Sequence, residues 1–189
     1  MVKGIISGIL LLSSTVIAQR ELYVRPGLIS SGLTFSPSIM LNHPQTNYYV
    51  SGHLQGRLDQ HFSLRGETFY YAGGIGDNPY FRFNSRTFFG FLAHLNKGNL
   101  DSHLGLMPGI SVMQINDPGN VGGNLPYQVV PSLAANIGVT YYVWKFFNFF
   151  ANITYVHSTA RVAIQRNGQA DELMISAGLG LNFNAVRAK

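Results

Sequence analysis

The segment Leu173–Phe183, LMISAGLGLNF, decides the fold because two kinds of residue alternate along it. Every second residue is apolar: Leu173, Ile175, Ala177, Leu179, Leu181 and Phe183. The residues between them are mostly small or polar: Met174, Ser176, Gly178, Gly180 and Asn182. A period of two belongs to a β-strand, whose successive side chains point to opposite faces, whereas a helix repeats every 3.6 residues. The segment therefore predicts a strand with one apolar face.

The same alternation recurs along the chain and predicts about eight strands. We expect them over residues 21–31, 47–58, 62–73, 80–96, 99–114, 128–144, 148–162 and 171–183. Most are longer than the roughly 5 to 6 residues usual in soluble proteins. They match instead the ~9 to 11 residues of a tilted membrane strand with an extension. The strand lengths therefore favour a barrel that crosses a membrane.

The connections between these strands alternate in length. Short turns are predicted at 59–61, 97–98 and 145–147, and longer loops at 32–46, 74–79, 115–127 and 163–170. In an up-and-down barrel with both termini at one end, all short turns then lie at one rim and all long loops at the other. We predict an all-β fold: a closed antiparallel up-and-down transmembrane β-barrel of about eight strands, formed by residues 19–189.

The first 18 residues have the features of a secretory signal peptide. Lys3 precedes an apolar run over residues 5–12, and Val16 and Ala18 are small residues where a signal peptidase cleaves. A membrane anchor is the alternative, but the run is well short of the ~20 apolar residues that span a bilayer. We therefore predict that residues 1–18 are removed on export.

The composition excludes several classes of protein. Charged residues make up only 11% of the chain, against about 25% in soluble domains, while 46% are hydrophobic. An ordinary cytosolic surface and intrinsic disorder are both disfavoured. Lys3, Arg187 and Lys189 supply three of the five net positive charges, so no basic nucleic-acid surface is expected. The absence of cysteine excludes disulfides, thiolate metal sites and cysteine nucleophiles.

Three segments carry a resemblance to a known family: the signal peptide, the HFSLRGE stretch at 61–67, and the final strand that ends at Phe183. Together they resemble the small eight-stranded outer-membrane barrels of Gram-negative bacteria, the OmpA-type and OmpX-type barrel domain. The resemblance implies a place in the cell outer membrane, with periplasmic termini and extracellular long loops. It also implies that the barrel-assembly machinery reads the last strand, through Leu179, Leu181 and Phe183. The expected surroundings are the lipid bilayer and lipopolysaccharide, and we expect a monomer without a cofactor.

The strand faces also predict what fills the barrel. Most mid-strand charges fall on the face opposite the apolar band, which places them in the lumen. The predicted lumen ion network consists of Glu67, Arg86, His53, Arg65, Arg82, His94 and Asp101. A three-residue turn at 59–61 places His53 beside Glu67, and pairing across the next loop places Arg86 opposite Glu67. A two-residue turn at 97–98 places His94 opposite Asp101. Separate solvation of these charges in a wet lumen is the alternative.

The sequence leaves three functions open. We expect a non-enzymatic structural or surface-interaction barrel, because eight strands enclose an interior that side chains can fill. A narrow pore for ions or small solutes is the first alternative. A rim enzyme acting on outer-membrane lipid or peptide is the second, with the candidates Ser30, Ser31, His43, Asp77, Asp117, His157 and Ser158. The interior histidines His53, His94 and His103 are interpreted as hydrogen-bonding groups rather than metal ligands.

Overall fold

A computed structural model describes residues 24–76, 79–116, 126–163 and 166–185. The predicted signal peptide lies outside these residues. The strands are β1 (Leu28–Met40), β2 (Thr46–Arg57), β3 (Phe62–Ile75), β4 (Phe81–Lys97), β5 (Leu100–Ile115), β6 (Gln128–Trp144), β7 (Phe147–Ala163), β8 (Arg166–Gln169) and β9 (Glu172–Asn184). Among the described residues, no helix is long and apolar enough to cross a bilayer.

Eight of the strands form a closed antiparallel ring. Each strand from β1 to β7 pairs with the next one along the chain. The last strand, β9, pairs with β7 on one side and with β1 on the other. The short β8 pairs with the end of β7. The predicted fold class is confirmed: this is a closed up-and-down barrel, and every main strand has neighbours on both edges.

The first strand differs from the prediction. It was expected over 21–31, but β1 covers Leu28–Met40, so the predicted loop 32–46 shrinks to residues 41–45. Here Leu33 and Phe35 point outward, while Ser36 and Ser38 point into the lumen. The segment thus has the period of two that pairs with both β2 and β9.

The predicted loop 163–170 is also partly strand. The seventh strand continues to Ala163, and β8 returns alongside it as a hairpin extension. The barrel wall is therefore taller at this point of the loop end than the sequence indicated. We call the rim with turns 58–61, 98–99 and 145–146 the turn end, and the opposite rim the loop end.

The outer wall is apolar. Its exposed large side chains include Leu33, Phe35, Leu54, Phe62, Phe89, Phe91, Leu104, Leu106, Ile110, Leu133, Ile137, Ile153, Ile175, Leu179 and Leu181. Aromatic side chains gather near both rims of this wall. At the turn end Trp144 packs against Phe146 and Phe147, and at the loop end Phe83 packs against Tyr70 and Tyr127. An apolar band between two aromatic groups suits a wall that contacts lipid.

The lumen is filled by side chains at every level. A central apolar cluster contains Tyr49, Phe69, Phe88, Leu92, Met107, Ala134, Val156 and Met174. A second cluster at the loop end contains Met40, Phe81, Met113, Ile115 and Ala170. Val24, Leu28 and Tyr142 form a third at the turn end. The charged groups lie in layers between these three clusters.

Candidate functional site

The charged layer nearest the turn end is centred on Asp101. Its carboxylate accepts from the Arg57 guanidinium and, 2.9 Å away, from His94 Nδ1. His94 Nε2 lies 2.7 Å from Ser63 Oγ, and Arg57 also donates to Asn96 Oδ1 over 3.0 Å. Asp101, Arg57 and His94 are all buried. We name Asp101, Arg57, His94, Ser63 and Asn96 the turn-end network.

The contact between His94 and Asp101 was predicted, but through the wrong register. Lys97 pairs with Leu100, so the two-residue turn is Gly98 and Asn99 rather than 97–98. Gly98 has φ 64°, and a two-residue hairpin turn favours glycine at this first central position. Asp101 is therefore opposite Asn96 in the register, and its carboxylate reaches His94 from that position.

The next layer toward the loop end contains Arg65, Glu67 and His103. Arg65 Nη2 donates to Glu67 Oε1 over 3.1 Å, and Arg65 Nη1 lies 3.4 Å from His103 Nε2. The Asn152 amide completes the layer, with its oxygen 3.0 Å from Arg65 Nη2 and its nitrogen 3.1 Å from His103 Nε2. Gly138 leaves room for this arrangement, because a Cβ there would lie 2.7 Å from His103 Nε2.

His53 lies opposite Glu67 as predicted, but among the described residues its side chain forms no ion pair. The turn after β2 has the predicted register, which pairs His53 with Glu67 and Gln55 with Arg65. The His53 ring packs edge-on against Phe150, with 4.7 Å between ring centroids. The backbone register of this hairpin is confirmed, and the side-chain partner of His53 is aromatic.

A third charged layer lies at the loop end and is centred on Glu172. Its Oε2 is 2.6 Å from Arg86 Nη2, and both side chains are fully buried. The carboxylate accepts hydrogen bonds from four further buried side chains, Ser38, Asn47, Tyr49 and Asn84. We name these six residues the loop-end network. Glu172 was absent from the sequence prediction, although it continues the lumen face of Met174 and Ser176 by the same alternation.

The predicted pairing of Glu67 with Arg86 is wrong. In the structure Glu67 pairs with Phe88 and Arg86 with Phe69, a shift of two residues from the prediction. The loop between β3 and β4 is too long to fix the register, and a shift of two keeps every side chain on its predicted face. Arg86 consequently lies nearer the loop end, where Glu172 is its partner.

The predicted place of Arg82 in the lumen is also wrong. A register irregularity between Phe81 and Phe83 interrupts the alternation at the start of β4. An extra residue in one strand reverses which face the following side chains use. Phe81 is therefore buried inside the barrel, and Arg82 is exposed.

Three interior groups lie close enough together to suggest a metal site. Ligand atoms of His94, Asp101 and His103 lie within 4.8 Å of one another. The Asp101 carboxylate, however, already binds the Arg57 guanidinium and the His94 imidazole. A cation there would have to displace or repel a buried arginine. The arrangement therefore suits a hydrogen-bonded ion pair better than metal coordination.

The predicted rim candidates do not form one group. Ser30 lies near the turn end, where it donates to Asn182, and Ser31 is beside it on β1. Their predicted placement at the rim with the long loops was wrong because β1 begins later than predicted. His43 stacks on Tyr80 at the loop end. Asp77 and Asp117 lie outside the described residues. His157 and Ser158 are both on β7, but their side chains face opposite sides of the wall.

The last strand closes the barrel. Phe183 pairs with Ile29, and Leu181 pairs with Ser31 of β1 and Phe147 of β7. Leu179, Leu181 and Phe183 all point outward from the wall. Pairing of this strand with the first was predicted around residues 23–29, and the register confirms it at Leu28 and Ile29. Residue 23 lies outside the described residues. The role of the three residues in assembly stays a prediction.

Comparisons with known proteins support the fold. No family model matches the chain, and no curated protein matches it. Among solved structures, Neisserial surface protein A superposes with a TM-score of 0.59 at 14% identity, covering 82% of this chain and 96% of that one. Ail, the attachment invasion locus protein of Yersinia pestis, gives 0.57 at 12% identity, with coverages of 84% and 99%. The N-terminal β-barrel domain of Pseudomonas aeruginosa OprF gives 0.56 at 14%, with 84% and 98%. The chain therefore has the fold of small eight-stranded outer-membrane barrels.

Proposed function

We propose that this chain is an integral outer-membrane barrel that acts through its surface and loops and does not conduct through its lumen. The observation that carries the proposal is the combination of an apolar outer wall with a lumen filled by three apolar clusters and two ion-paired networks. An apolar wall needs lipid around it, and a filled lumen has no room for a water column. Because a filled lumen does not conduct, we propose that the barrel has a structural or surface-interaction role.

Conductance is the experiment that separates this role from a narrow pore. The refolded protein is added to a planar lipid bilayer, and a heat-modifiable band on an electrophoresis gel verifies that it is folded. We expect no lasting conductance above that of the bare bilayer, because the turn-end and loop-end networks block the lumen. A stable large conductance from the folded protein would contradict the proposal and favour the pore.

The proposed orientation places the long loops outside the cell and the termini in the periplasm. The chain contains no cysteine, so one introduced thiol reports on one position. We compare Asn42→Cys in the loop-end connection 41–45 with Lys97→Cys near the turn end; both positions are exposed. A membrane-impermeant maleimide should label the first variant in intact cells and the second only after the outer membrane is opened. Labelling of the second alone would reverse the orientation.

The final strand is proposed to be needed for assembly, because a barrel without it leaves β1 and β7 with unpaired edges. Deletion of residues 184–189 should leave most of the protein folded. Deletion of residues 181–189 also removes Leu181 and Phe183, and it should abolish the heat-modifiable form. Normal folding after the longer deletion would mean that the barrel closes without these residues.

A further inference from the structure

A pair of ionisable side chains lies in the outer wall near the loop end. His157 Nδ1 is 2.8 Å from Asp171 Oδ1, and the imidazole is 48% exposed while the carboxylate is only 11% exposed. The carboxylate also accepts from the Ser158 backbone N–H over 3.3 Å and from the Tyr155 hydroxyl over 3.1 Å. Three donors, all from β7, therefore fix the carboxylate, and the carboxylate in turn fixes the imidazole ring.

This geometry determines which imidazole nitrogen is basic. An ionised carboxylate only accepts hydrogen bonds, so His157 Nδ1 carries the hydrogen. In the neutral ring Nε2 then has the free lone pair, and it lies on the side of the ring away from Asp171. A base oriented by a carboxylate is the arrangement that activates a hydroxyl for nucleophilic attack.

A hydroxyl is present at the next outward position of the same strand. Thr159 lies two residues along β7 on the outer face and is exposed. Alternate residues of a strand are about 6.6 Å apart, which an imidazole side chain can bridge. The neighbouring Ser158 is different, because its hydroxyl points inward and donates to the Ala170 carbonyl oxygen over 3.1 Å. Thr159 therefore offers an exposed hydroxyl beside His157 on the outer face of β7.

The surroundings of the pair favour a lipid as the substrate. His157 pairs across the strands with Leu133, Tyr155 pairs with Leu173, and Leu41 donates its backbone N–H to the Asp171 carbonyl oxygen. Leu133 and Leu41 are both exposed on the outer wall. The free-energy penalty for a polar group on a lipid-facing wall is small only where the wall lies near the bilayer surface. That depth, between headgroups and acyl chains, is where the carboxylic esters of membrane lipids lie.

We propose that His157, Asp171 and Thr159 form an esterase site on the outer wall that removes a fatty-acyl chain from a membrane lipid. His157 Nε2 takes the proton of the Thr159 hydroxyl while the Thr159 oxygen bonds to the ester carbonyl carbon. The carbon–oxygen bond to the lipid alcohol then breaks, and the alcohol leaves with the proton from His157. Water, deprotonated by His157, then attacks the acyl carbon of the acyl-threonine. The bond to the Thr159 oxygen breaks, His157 returns the proton to that oxygen, and the fatty acid leaves. This goes beyond the proposed function, because it adds a catalytic activity to the outer wall of the barrel.

The test measures fatty-acid release by the full-length refolded protein. Two substrates distinguish the source of the ester: vesicles of phosphatidylethanolamine and phosphatidylglycerol, and micelles of lipopolysaccharide. We compare the parent with His157→Gln and Thr159→Val, and use His61→Gln and Thr68→Val as matched controls, because both positions are exposed and far from the dyad. Loss of the general base in His157→Gln and loss of the nucleophile in Thr159→Val should each lower the rate of fatty-acid release about 100-fold or more. The two control variants should release fatty acid at the parent's rate.

Asp171 is a positioning residue in this scheme, so its variants need a readout that folding alone does not change. Asp171→Asn should lower kcat with KM unchanged, because the lipid still binds but the imidazole is no longer oriented. Asp171→Glu keeps a carboxylate and should restore part of kcat. Mass spectrometry of the parent after brief exposure to substrate should show an acyl group on the peptide that contains Thr159.

Several results would overturn the assignment. Release of no fatty acid from either substrate by folded parent protein excludes the esterase. Equal rates for the parent and His157→Gln exclude the dyad, and full activity of Thr159→Val excludes this nucleophile. Heat-modifiability and conductance are measured on the same samples. An inactive protein that is folded and non-conducting therefore contradicts the esterase alone and leaves the proposed barrel function intact.

Discussion

The two charged networks in the lumen differ in how they are built. In the turn-end network the Asp101 carboxylate binds the Arg57 guanidinium and the His94 imidazole, which come from strands that end in tight hairpins. In the loop-end network Glu172 receives one cation, Arg86, and four neutral donors. The first network lies next to exposed turns, whereas the second is sealed by the apolar cluster around Phe81 and Met113. The comparison teaches that two fully buried carboxylates can be stabilised in different ways, Asp101 by a guanidinium and an imidazole, and Glu172 by one guanidinium and four neutral donors.

The largest effect should follow loss of the loop-end carboxylate. Glu172→Gln leaves the Arg86 guanidinium uncompensated in a fully buried place, which costs about 3–5 kcal/mol of unfolding free energy. Urea unfolding in lipid vesicles, followed by tryptophan fluorescence, measures this. Adding Arg86→Met to Glu172→Gln should restore part of the loss, since it removes the stranded charge. A double variant less stable than the single one would show that Arg86 has another strong partner.

A smaller loss is expected at the other end of the lumen. Asp101→Asn removes the partner of Arg57, but Arg57 keeps its hydrogen bonds to Asn96 Oδ1 and the Gln60 carbonyl oxygen near the rim. We expect a loss of about 1.5–3 kcal/mol, the range for hydrogen bonds to charged groups. The same urea experiment checks it. A loss equal to that of Glu172→Gln would break the distinction between the two ends.

The middle layer should be least sensitive among the buried carboxylates. Glu67 binds Arg65 through Oε1, and its Oε2 has no hydrogen-bond partner within the described part of the protein. Arg65 also contacts Asn152 and His103, so Glu67→Gln should cost about 1–2 kcal/mol. Arg86→Met combined with Glu67→Gln should bring no recovery, because these residues are not partners. Recovery in that pair would support the register predicted from sequence.

The smallest effect concerns a carboxylate outside the barrel wall. The backbone N–H groups of His61 and Phe62 donate to Asp59 Oδ1 at 2.6 and 2.7 Å and hold the pKa of Asp59 below its ordinary value of 3.8. A lowered pKa stabilises the fold above pH 3.8, and the stabilisation disappears as the pH falls through the folded value. Asp59→Ala should lower the urea midpoint slightly at pH 7 and not at pH 2. An equal decrease at both pH values would contradict this.

Short turns explain most of what the sequence could predict. The turn at 59–61 fixes β2 against β3, and His53 with Glu67 followed correctly. Across the longer connection 76–80 a shift of two residues leaves the hydrophobic pattern unchanged, so Arg86 was paired with the wrong carboxylate. The bulge that turns Arg82 outward cannot be seen in the sequence, because it is defined by how the start of β4 pairs with β5. Glu172 was missed for a simpler reason: it lies within the predicted strand 171–183, but the two faces of that strand were assigned only from Leu173 onward.

The pairing of Ile29 with Phe183 has a consequence for how fast the barrel folds. The two residues come from opposite ends of the chain, so their contact requires closure of a loop that contains almost the whole protein. Contacts of such long sequence separation slow folding, because the entropy of closure is lost before the pairing energy is gained. Until that step, β1 and β9 each present an open edge with unpaired N–H and C=O groups. The unfinished barrel is thus prone to pair with other copies through its two open edges until β1 and β9 meet.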